Sequence, residues 1–185
     1  SSRLCCDCIV SPANSYGITD GGFDLELSKQ FKGPSGNLWS LTDYCQDYIL
    51  KKWHGYAPPG SCTIIPLPQS VARSGNKWNS FAMAILPTMR TPEDVSWHKD
   101  LVYNTMWTFL VELDHWNTAH HGDEANTIHT VLMTGLGTDQ GGISLKRSAQ
   151  QMILAVKHFQ EGVPAHVRWD DVRKRNEETQ QTEDY

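Results

Sequence analysis

The fold is decided by one stretch of sequence, Cys8-Ile9-Val10-Ser11-Pro12-Ala13-Asn14-Ser15-Tyr16-Gly17-Ile18-Thr19-Asp20-Gly21-Gly22-Phe23-Asp24. It begins with an apolar run, and after it apolar side chains recur once per helical turn at Phe23, Leu27 and Phe31. The stretch is therefore predicted to form a strand, a glycine-bearing loop and a helix start. Because a helix start has unpaired N–H groups and a partial positive charge, and Gly21 and Gly22 lack side chains, this loop suits phosphate.

The same order of strand, glycine loop and helix occurs again later in the chain. The apolar and β-branched segment 128–133 enters the loop Thr134-Gly135-Leu136-Gly137-Thr138-Asp139-Gln140-Gly141-Gly142-Ile143. Ser144 is suited to cap the helix that follows, and the predicted buried face of this helix is Leu145, Ala149, Met152, Ile153 and Val156. Since ligands of layered α/β proteins bind beyond the carboxyl ends of the strands, both loops are expected to face one diphosphate.

The remaining sequence predicts an alternation of helices and strands. Helices are expected at 39–53 and 99–117, and strands at 63–67 and 81–86. This alternation is typical of an α/β fold whose central sheet is covered on both faces. We expect one domain over residues 1–168, and the polar, mixed-charge segment 169–185 predicts a frayed helix or a disordered tail.

The composition and charge of the chain argue against several classes of protein. The 185 residues contain 16 Lys and Arg against 21 Asp and Glu, a net charge of −5, which does not favour broad binding to nucleic acid or to an anionic membrane. A bound phosphate must therefore be held locally, by backbone dipoles. The sequence has no membrane-length apolar run and no signal-peptide pattern, and its five cysteines fit reduced thiols. We expect an intracellular protein, cytoplasmic or nuclear, with no resident cofactor.

Asn14 and Asp24 are the candidate chemical groups of the first loop. The sequence lacks the GxxxxGK[ST] pattern, and the first loop lacks the GxGxxG order of dinucleotide-binding turns. An Asn amide can donate to and accept from a sugar hydroxyl, whereas Asp24, in the first helical turn, can accept from a hydroxyl or activate a water. Together they suit a ribose.

These residues carry a family resemblance. The pattern is Asn14, then a gap of six residues, then Gly21-Gly22-Phe23-Asp24. It resembles the Asn-x6-Gly-Gly-aliphatic-Asp signature of macrodomains, which bind ADP-ribose. The resemblance covers about residues 4 to 160 and implies a three-layer α/β/α fold with a mixed central sheet. The loop Ser-Pro-Ala-Asn-Ser-Tyr-Gly and the later Pro-Thr-Met are similar to a divergent fungal and bacterial group, some members of which are described as ADP-ribose-1″-phosphatase-like.

The resemblance also implies roles for individual residues. Asn14 would hydrogen-bond the distal ribose and Asp24 would lie near the scissile or anomeric position, as the catalytic pair. The implied ligand-binding residues of the first loop are Ser11, Ala13, Tyr16, Gly21, Gly22 and Phe23. Those of the second loop, which would wrap the diphosphate, are Gly135, Leu136, Gly137, Thr138 and Asp139. The family's first strands and its acidic adenine contact have no counterpart in the sequence, so no residue is assigned to adenine.

Three functions stay open on this basis. In the first, the chain binds ADP-ribose or a related nucleotide and hydrolyses it, either by removing ADP-ribose from a protein or by dephosphorylating ADP-ribose-1″-phosphate. Alternatively it is a non-catalytic reader of ADP-ribosylated partner proteins, or a degenerate scaffold without a working pocket. A monomer is expected in each case.

Two clusters contain residue types that bind metal ions, but neither has the spacing of a metal site. One is a group of histidines and carboxylates whose spacing matches no established zinc motif: Asp114, His115, His120, His121 and Asp123. The other is Cys5, Cys6 and Cys8, whose side chains would alternate between the two faces of a strand and could not easily surround one ion. We therefore predict no metal site and small buried thiols.

Overall fold

A computed structural model of the chain describes residues 4–182, and a four-stranded sheet lies at its centre. The strands are β1 (Cys8–Ser11), β2 (Thr63–Pro66), β3 (Ala82–Ile85) and β4 (Val131–Leu132). Their spatial order is β2-β3-β1-β4. Strand β1 runs parallel to both β3 and β4, whereas β2 is antiparallel to β3. The sheet is therefore mixed, as predicted.

Helices cover both faces of this sheet. They are α1 (Gly22–Phe31), α2 (Ser40–Trp53), α3 (Leu101–Ala119), α4 (Leu145–Glu161) and α5 (Trp169–Gln180). Successive residues of β1 point to opposite faces. Cys8 and Val10 pack in one buried cluster with residues of α3 and α4, and Ile9 packs in a second cluster with residues of α1 and α2. The three-layer α/β/α architecture is thus confirmed.

Strand β4 is shorter than its sequence predicts, because an Asp side chain takes over part of its pairing. Asp7 Oδ2 accepts hydrogen bonds from the backbone N–H groups of His129 and Thr130 at 2.9 and 2.8 Å. Burial raises the pKa of Asp7, but these hydrogen bonds together outweigh burial and hold the pKa below its usual value. Only Val131–Leu132 of the predicted strand 128–133 forms ladder pairs.

The predicted buried face of α4 is wrong. Leu145 and Ile153 are 76% and 70% exposed, Ala149 is exposed, and Met152 and Val156 are only partly buried. The face that is buried is more polar: Arg147, Ser148, Gln151, Ala155 and His158. Each of the four polar side chains has a partner on a neighbouring element, although Arg147 Nε is buried without one among the described residues. Gln151, for example, donates to Lys99 O at 2.6 Å and accepts from the backbone N–H of Tyr103 at 3.1 Å. Satisfied hydrogen bonds make this burial tolerable.

The segment 169–180 was expected to be frayed or disordered but forms helix α5, which packs on α4. Glu178 Oε2 lies 2.8 Å from Nε2 of the buried His158, and Gln151 Nε2 donates to Thr182 Oγ1 at 2.9 Å. Composition alone could not show that the partners of these polar side chains lie on another helix. The end of the predicted tail, residues 183–185, lies outside the described residues.

Several smaller expectations can be compared with residues 4–182. No helix in this range is both long and apolar enough to cross a membrane. The five cysteines are free, with Cys6 and Cys8 buried and Cys5 exposed. Within the described range, no group of three or more His, Cys, Asp or Glu side chains is placed to hold a metal ion. His120 instead stacks on Trp116, with ring centroids 4.6 Å apart.

Candidate ligand-binding cleft

The two glycine loops meet at the carboxyl-terminal edge of the sheet. Because β1 and β4 are parallel neighbours, the loops that follow them emerge side by side. Between them lies a cavity of about 390 Å³, which is called the cleft below. It is lined by Pro12, Asn14, Ile18, Asp20, Gly21, Gly22, Phe23, Asp24, Thr88, Met89, Pro92, Thr134, Gly135, Gly137, Thr138, Asp139, Gln140 and Gly141.

The loops are in close contact across the start of α1. Gly22 has a φ of +53°, and a Cβ atom there would lie 3.4 Å from Asp139 Oδ2 of the second loop. In the part of the chain that the structure describes, no side chain caps α1, whose N-cap residue is Gly21. The N–H groups of its first turn therefore keep their capacity to bind an anion. None of the described residues that line the cleft is a lysine, arginine or histidine.

Asn14 holds the first loop in shape. Its Nδ2 donates to Ile18 O at 2.7 Å, and its Oδ1 accepts from the backbone N–H groups of Tyr16 and Ile18 at 3.0 and 3.2 Å. This Asx-turn arrangement closes residues 14–18 into a compact loop. One hydrogen of the amide nitrogen is used in the bond to Ile18, so the second can be offered to a ligand.

A buried hydroxyl network fastens the same loop to the helices beneath it. Thr19 accepts at its carbonyl from Ser28 Oγ of α1 at 2.7 Å, and its backbone N–H donates to Thr42 Oγ1 of α2 at 3.0 Å. The three side chains are at most 2% exposed. The loop is thus fixed from both ends, which positions Asp20 and Gly21 at the cleft.

Asp24 is a buried carboxyl that also lines the cleft. It is 8% exposed, and Ser11 Oγ donates to its Oδ1 at 2.7 Å. Burial raises the pKa of Asp24 to about 6, although the hydrogen bond from Ser11 acts in the opposite direction. A carboxyl group with this pKa can exchange a proton close to neutral pH.

The second loop is closed by its own backbone. The N–H of Ile143 donates to Gly137 O and that of Gly142 to Asp139 O, both at 3.0 Å. A Cβ on Gly141 would lie 2.6 Å from Gly137 O, and one on Gly137 would lie 2.8 Å from Ile143 Cδ1. Glycine is therefore required at these two positions for the loop to fold this tightly.

Most of the residues assigned to the site from sequence lie together in the cleft. They are Asn14, Gly21, Gly22, Phe23, Asp24, Gly135, Gly137, Thr138 and Asp139. Ser11, Ala13 and Leu136 are at most 1% exposed and do not line the cleft. Tyr16 is 43% exposed and does not line the cleft; its ring packs edge-on against Tyr56, with centroids 5.7 Å apart.

A third loop contributes residues that sequence reasoning missed. Thr88, Met89 and Pro92 follow β3 and line the cleft. The backbone joins this loop to the first, since Thr88 N donates to Ala13 O at 3.0 Å and Ser15 N donates to Met89 O at 2.9 Å. The sequence does predict a strand at 81–86, and ligands bind beyond the carboxyl ends of strands. It does not show that this strand pairs with β1, and this pairing brings the loop after β3 to the cleft. Further missed lining residues are Pro12, Ile18, Asp20, Thr134, Gln140 and Gly141.

Comparison with known proteins finds a matching family model and structures of similar fold. A family model described as Macro-like domain matches residues 3–170. Similar structures include the Oceanobacillus iheyensis macrodomain with ADP, with TM-score 0.58 and 15% identity over 95% of this chain and 84% of that one. A mutant of the same macrodomain with ADPR has TM-score 0.57 and 14% identity over 95% and 86%.

The macrodomain of Mycobacterium tuberculosis DarG has TM-score 0.58 and 14% identity over 84% of both chains. No curated protein sequence matches the chain. At these identities the structural similarities concern the fold.

Proposed function

The chain belongs to the Macro-like domain family, and from this premise we propose that its cleft binds ADP-ribose or a terminal derivative of it. The supporting observation is the pair of glycine loops that face each other across the cleft, next to the uncapped first turn of α1. Because no basic side chain lines the cleft among the described residues, backbone N–H groups and the helix dipole would hold the diphosphate.

Gly21→Val tests this proposal. The φ and ψ of Gly21 are −142° and 161°, which any residue adopts, and a Cβ there meets no atom within 4 Å. The added side chain therefore fills part of the cleft without disturbing the fold. In titration calorimetry with ADP-ribose we expect heat of binding from the wild type and none from Gly21→Val, at equal thermal stability. A wild type that gives no heat at high micromolar ligand would contradict the proposal and leave a scaffold role.

A hydrolytic function is favoured by Asp24. With a pKa raised to about 6 by burial, Asp24 would take a proton from a water whose oxygen attacks the anomeric carbon or the terminal phosphorus. The bond from that carbon to the modified protein side chain, or from that phosphorus to the 1″ oxygen of ADP-ribose, would break, and the leaving group would take the proton from Asp24. Asn14 would orient the ribose with its remaining amide hydrogen. We also propose that the chain belongs to the divergent group with the Ser-Pro-Ala-Asn-Ser-Tyr-Gly loop. This membership would favour dephosphorylation of ADP-ribose-1″-phosphate as the hydrolytic activity.

A reader function is the alternative, and the geometry of Asn14 favours it. The Oδ1 atom of Asn14 already accepts from two backbone N–H groups, so this side chain serves the shape of the loop first. The two functions are distinguished by incubating the protein with an ADP-ribosylated protein and, separately, with ADP-ribose-1″-phosphate. Turnover that is lost in Asp24→Asn supports hydrolysis, whereas binding without turnover supports the reader.

A further inference from the structure

One polar atom in the wall of the cleft has no hydrogen-bond partner within residues 4–182. Thr88 lines the cleft and is 1% exposed, and its Oγ1 is buried without a hydrogen bond to any described residue. Folded proteins rarely keep a buried hydroxyl unsatisfied, because the group loses its hydrogen bonds to water and gains none in return. An unsatisfied hydroxyl at a ligand cleft therefore indicates a contact that forms when the ligand is bound.

Hydrogen bonds connect both the Thr88 loop and the Asp24 carboxyl to the end of β1. Thr88 N donates to Ala13 O at 3.0 Å, and two residues earlier Leu86 N donates to Ser11 O at 2.9 Å. Ser11 in turn holds the Asp24 carboxyl at 2.7 Å. The end of β1 thus connects the Thr88 loop on one side with the carboxyl of α1 on the other.

A neutral hydroxyl of the ligand can satisfy both Asp24 and Thr88. Ser11 occupies Oδ1 of Asp24, and the other carboxylate oxygen can accept a hydrogen bond but cannot donate one when ionised. Thr88 can donate or accept. A ligand hydroxyl can donate to Asp24 and accept from Thr88 at the same time, whereas an ionised phosphate oxygen in that position has no proton to donate to Asp24.

We propose that Thr88 Oγ1 hydrogen-bonds a hydroxyl of the distal ribose and so makes the cleft selective for ADP-ribose over ADP. This inference rests on the proposed function and adds a specificity-determining residue to it. The hydroxyl is hidden from water in the free protein, so the contact requires a small movement of the cleft wall. Met89, the next residue, also lines the cleft, and its unbranched side chain is well suited to such a movement.

Thr88→Val tests the proposal because it removes the hydroxyl and keeps the branched shape. We measure the affinity for ADP-ribose and for ADP, together with the melting temperature of the free protein. Affinity for ADP-ribose should fall about tenfold, as expected for one hydrogen bond, while affinity for ADP changes less than about twofold. The melting temperature should not fall, because the lost group has no protein partner. Thr88→Ser should restore the affinity for ADP-ribose.

Ser61→Ala is the matched control. Ser61 Oγ is also buried without a partner in the described part of the chain, but Ser61 does not line the cleft, so neither affinity should change. Equal ADP-ribose affinity in Thr88→Val and wild type would overturn the inference alone, as would an equal loss for both nucleotides or a lower melting temperature of Thr88→Val, which would indicate a structural role. A wild type that binds neither nucleotide would overturn the proposed function and this inference with it.

Discussion

Ser11 Oγ donates a hydrogen bond of 2.7 Å to Asp24 Oδ1, and this bond joins the last residue of β1 to the first turn of α1 inside the protein. Both side chains are buried. The bond stabilises the charged form of Asp24, but burial has the larger effect, and the pKa of Asp24 rises to about 6. The protein thus holds a carboxyl group at its cleft in a state that costs folding free energy when ionised.

This cost predicts how Asp24→Asn affects stability. Because the pKa of Asp24 rises from 3.8 in the unfolded chain to about 6 in the folded protein, its contribution is fully present below pH 4 and is lost as the pH rises through 6. The loss amounts to about 3 kcal/mol at neutral pH. Urea unfolding at pH 4 and pH 7.5 should show that the Asn variant lacks this loss. Parallel pH dependence in the two proteins would contradict the raised pKa.

Asn14→Ala should loosen the first loop. The amide of Asn14 makes hydrogen bonds to Tyr16 and Ile18, and their removal should cost about 1–3 kcal/mol of unfolding free energy. Hydrogen exchange at the N–H of Ile18 should accelerate, and affinity for ADP-ribose should fall.

Asn37→Ala is the control for this prediction, because Asn37 Oδ1 accepts from Trp39 N in a similar turn and does not line the cleft. It should change local hydrogen exchange without changing affinity. If both variants weaken binding equally, the loop argument fails.

Gly17→Ala should destabilise the protein through a specific overlap. Gly17 has a φ of +65°, and a Cβ there would lie 2.7 Å from Ile49 Cδ1. Backbone strain and overpacking together should cost about 1–3 kcal/mol. Ile49→Val removes that methyl group, so the double variant should be more stable than the sum of the two single changes predicts.

Gly36→Ala provides the comparison for Gly17, since its φ is +67° and a Cβ there meets nothing within 4 Å. It should show the backbone cost alone. Equal losses of thermal stability in Gly17→Ala and Gly36→Ala would mean that the contact with Ile49 does not limit the loop.

Glu178→Gln should weaken the attachment of α5. Glu178 lies 2.8 Å from Lys157 Nζ and from His158 Nε2, and hydrogen bonds from these two side chains lower its pKa to about 2. At neutral pH we expect a lower melting temperature and faster hydrogen exchange in α5. A carboxyl whose pKa is lowered by folding stabilises the folded protein at pH values above its pKa in the unfolded chain, and this contribution is lost as the pH falls toward 2. The difference in melting temperature between wild type and Glu178→Gln should therefore shrink in acid.

The exposed neighbour Glu177 is the control for α5, because Glu177→Gln changes the same charge on another face of the helix. It should leave hydrogen exchange nearly unchanged. A similar effect of both variants would point to overall charge rather than to the contact with α4.

The apolar pattern predicted the elements well where burial alone decided them. For helix α2 the pattern predicts residues 39–53, with Leu41, Cys45, Tyr48 and Ile49 on one face. The helix spans Ser40–Trp53 and buries all of these side chains except Tyr48, which is partly buried. The pattern failed on α4, where Leu145 and Ile153 are exposed and Gln151 and His158 are buried. Hydropathy does not predict the burial of these polar side chains, because the free-energy cost of burying them is offset by hydrogen bonds to other parts of the chain. Their partners lie in α3, in the segment just before α3, and in α5.

The sequence alone therefore predicted local features: the two glycine loops after strands, a helix that begins next to Gly21 and Gly22, and the spacing of Asn14 and Asp24. Backbone geometry and the repeat of apolar residues depend on neighbours along the chain, so they can be read from it. Only the tertiary structure decided that the loop after β3 joins the cleft, that Tyr16 packs on Tyr56 instead, and that Asp24 is buried with a raised pKa. These features depend on strand order and on desolvation by distant residues, which no local pattern contains.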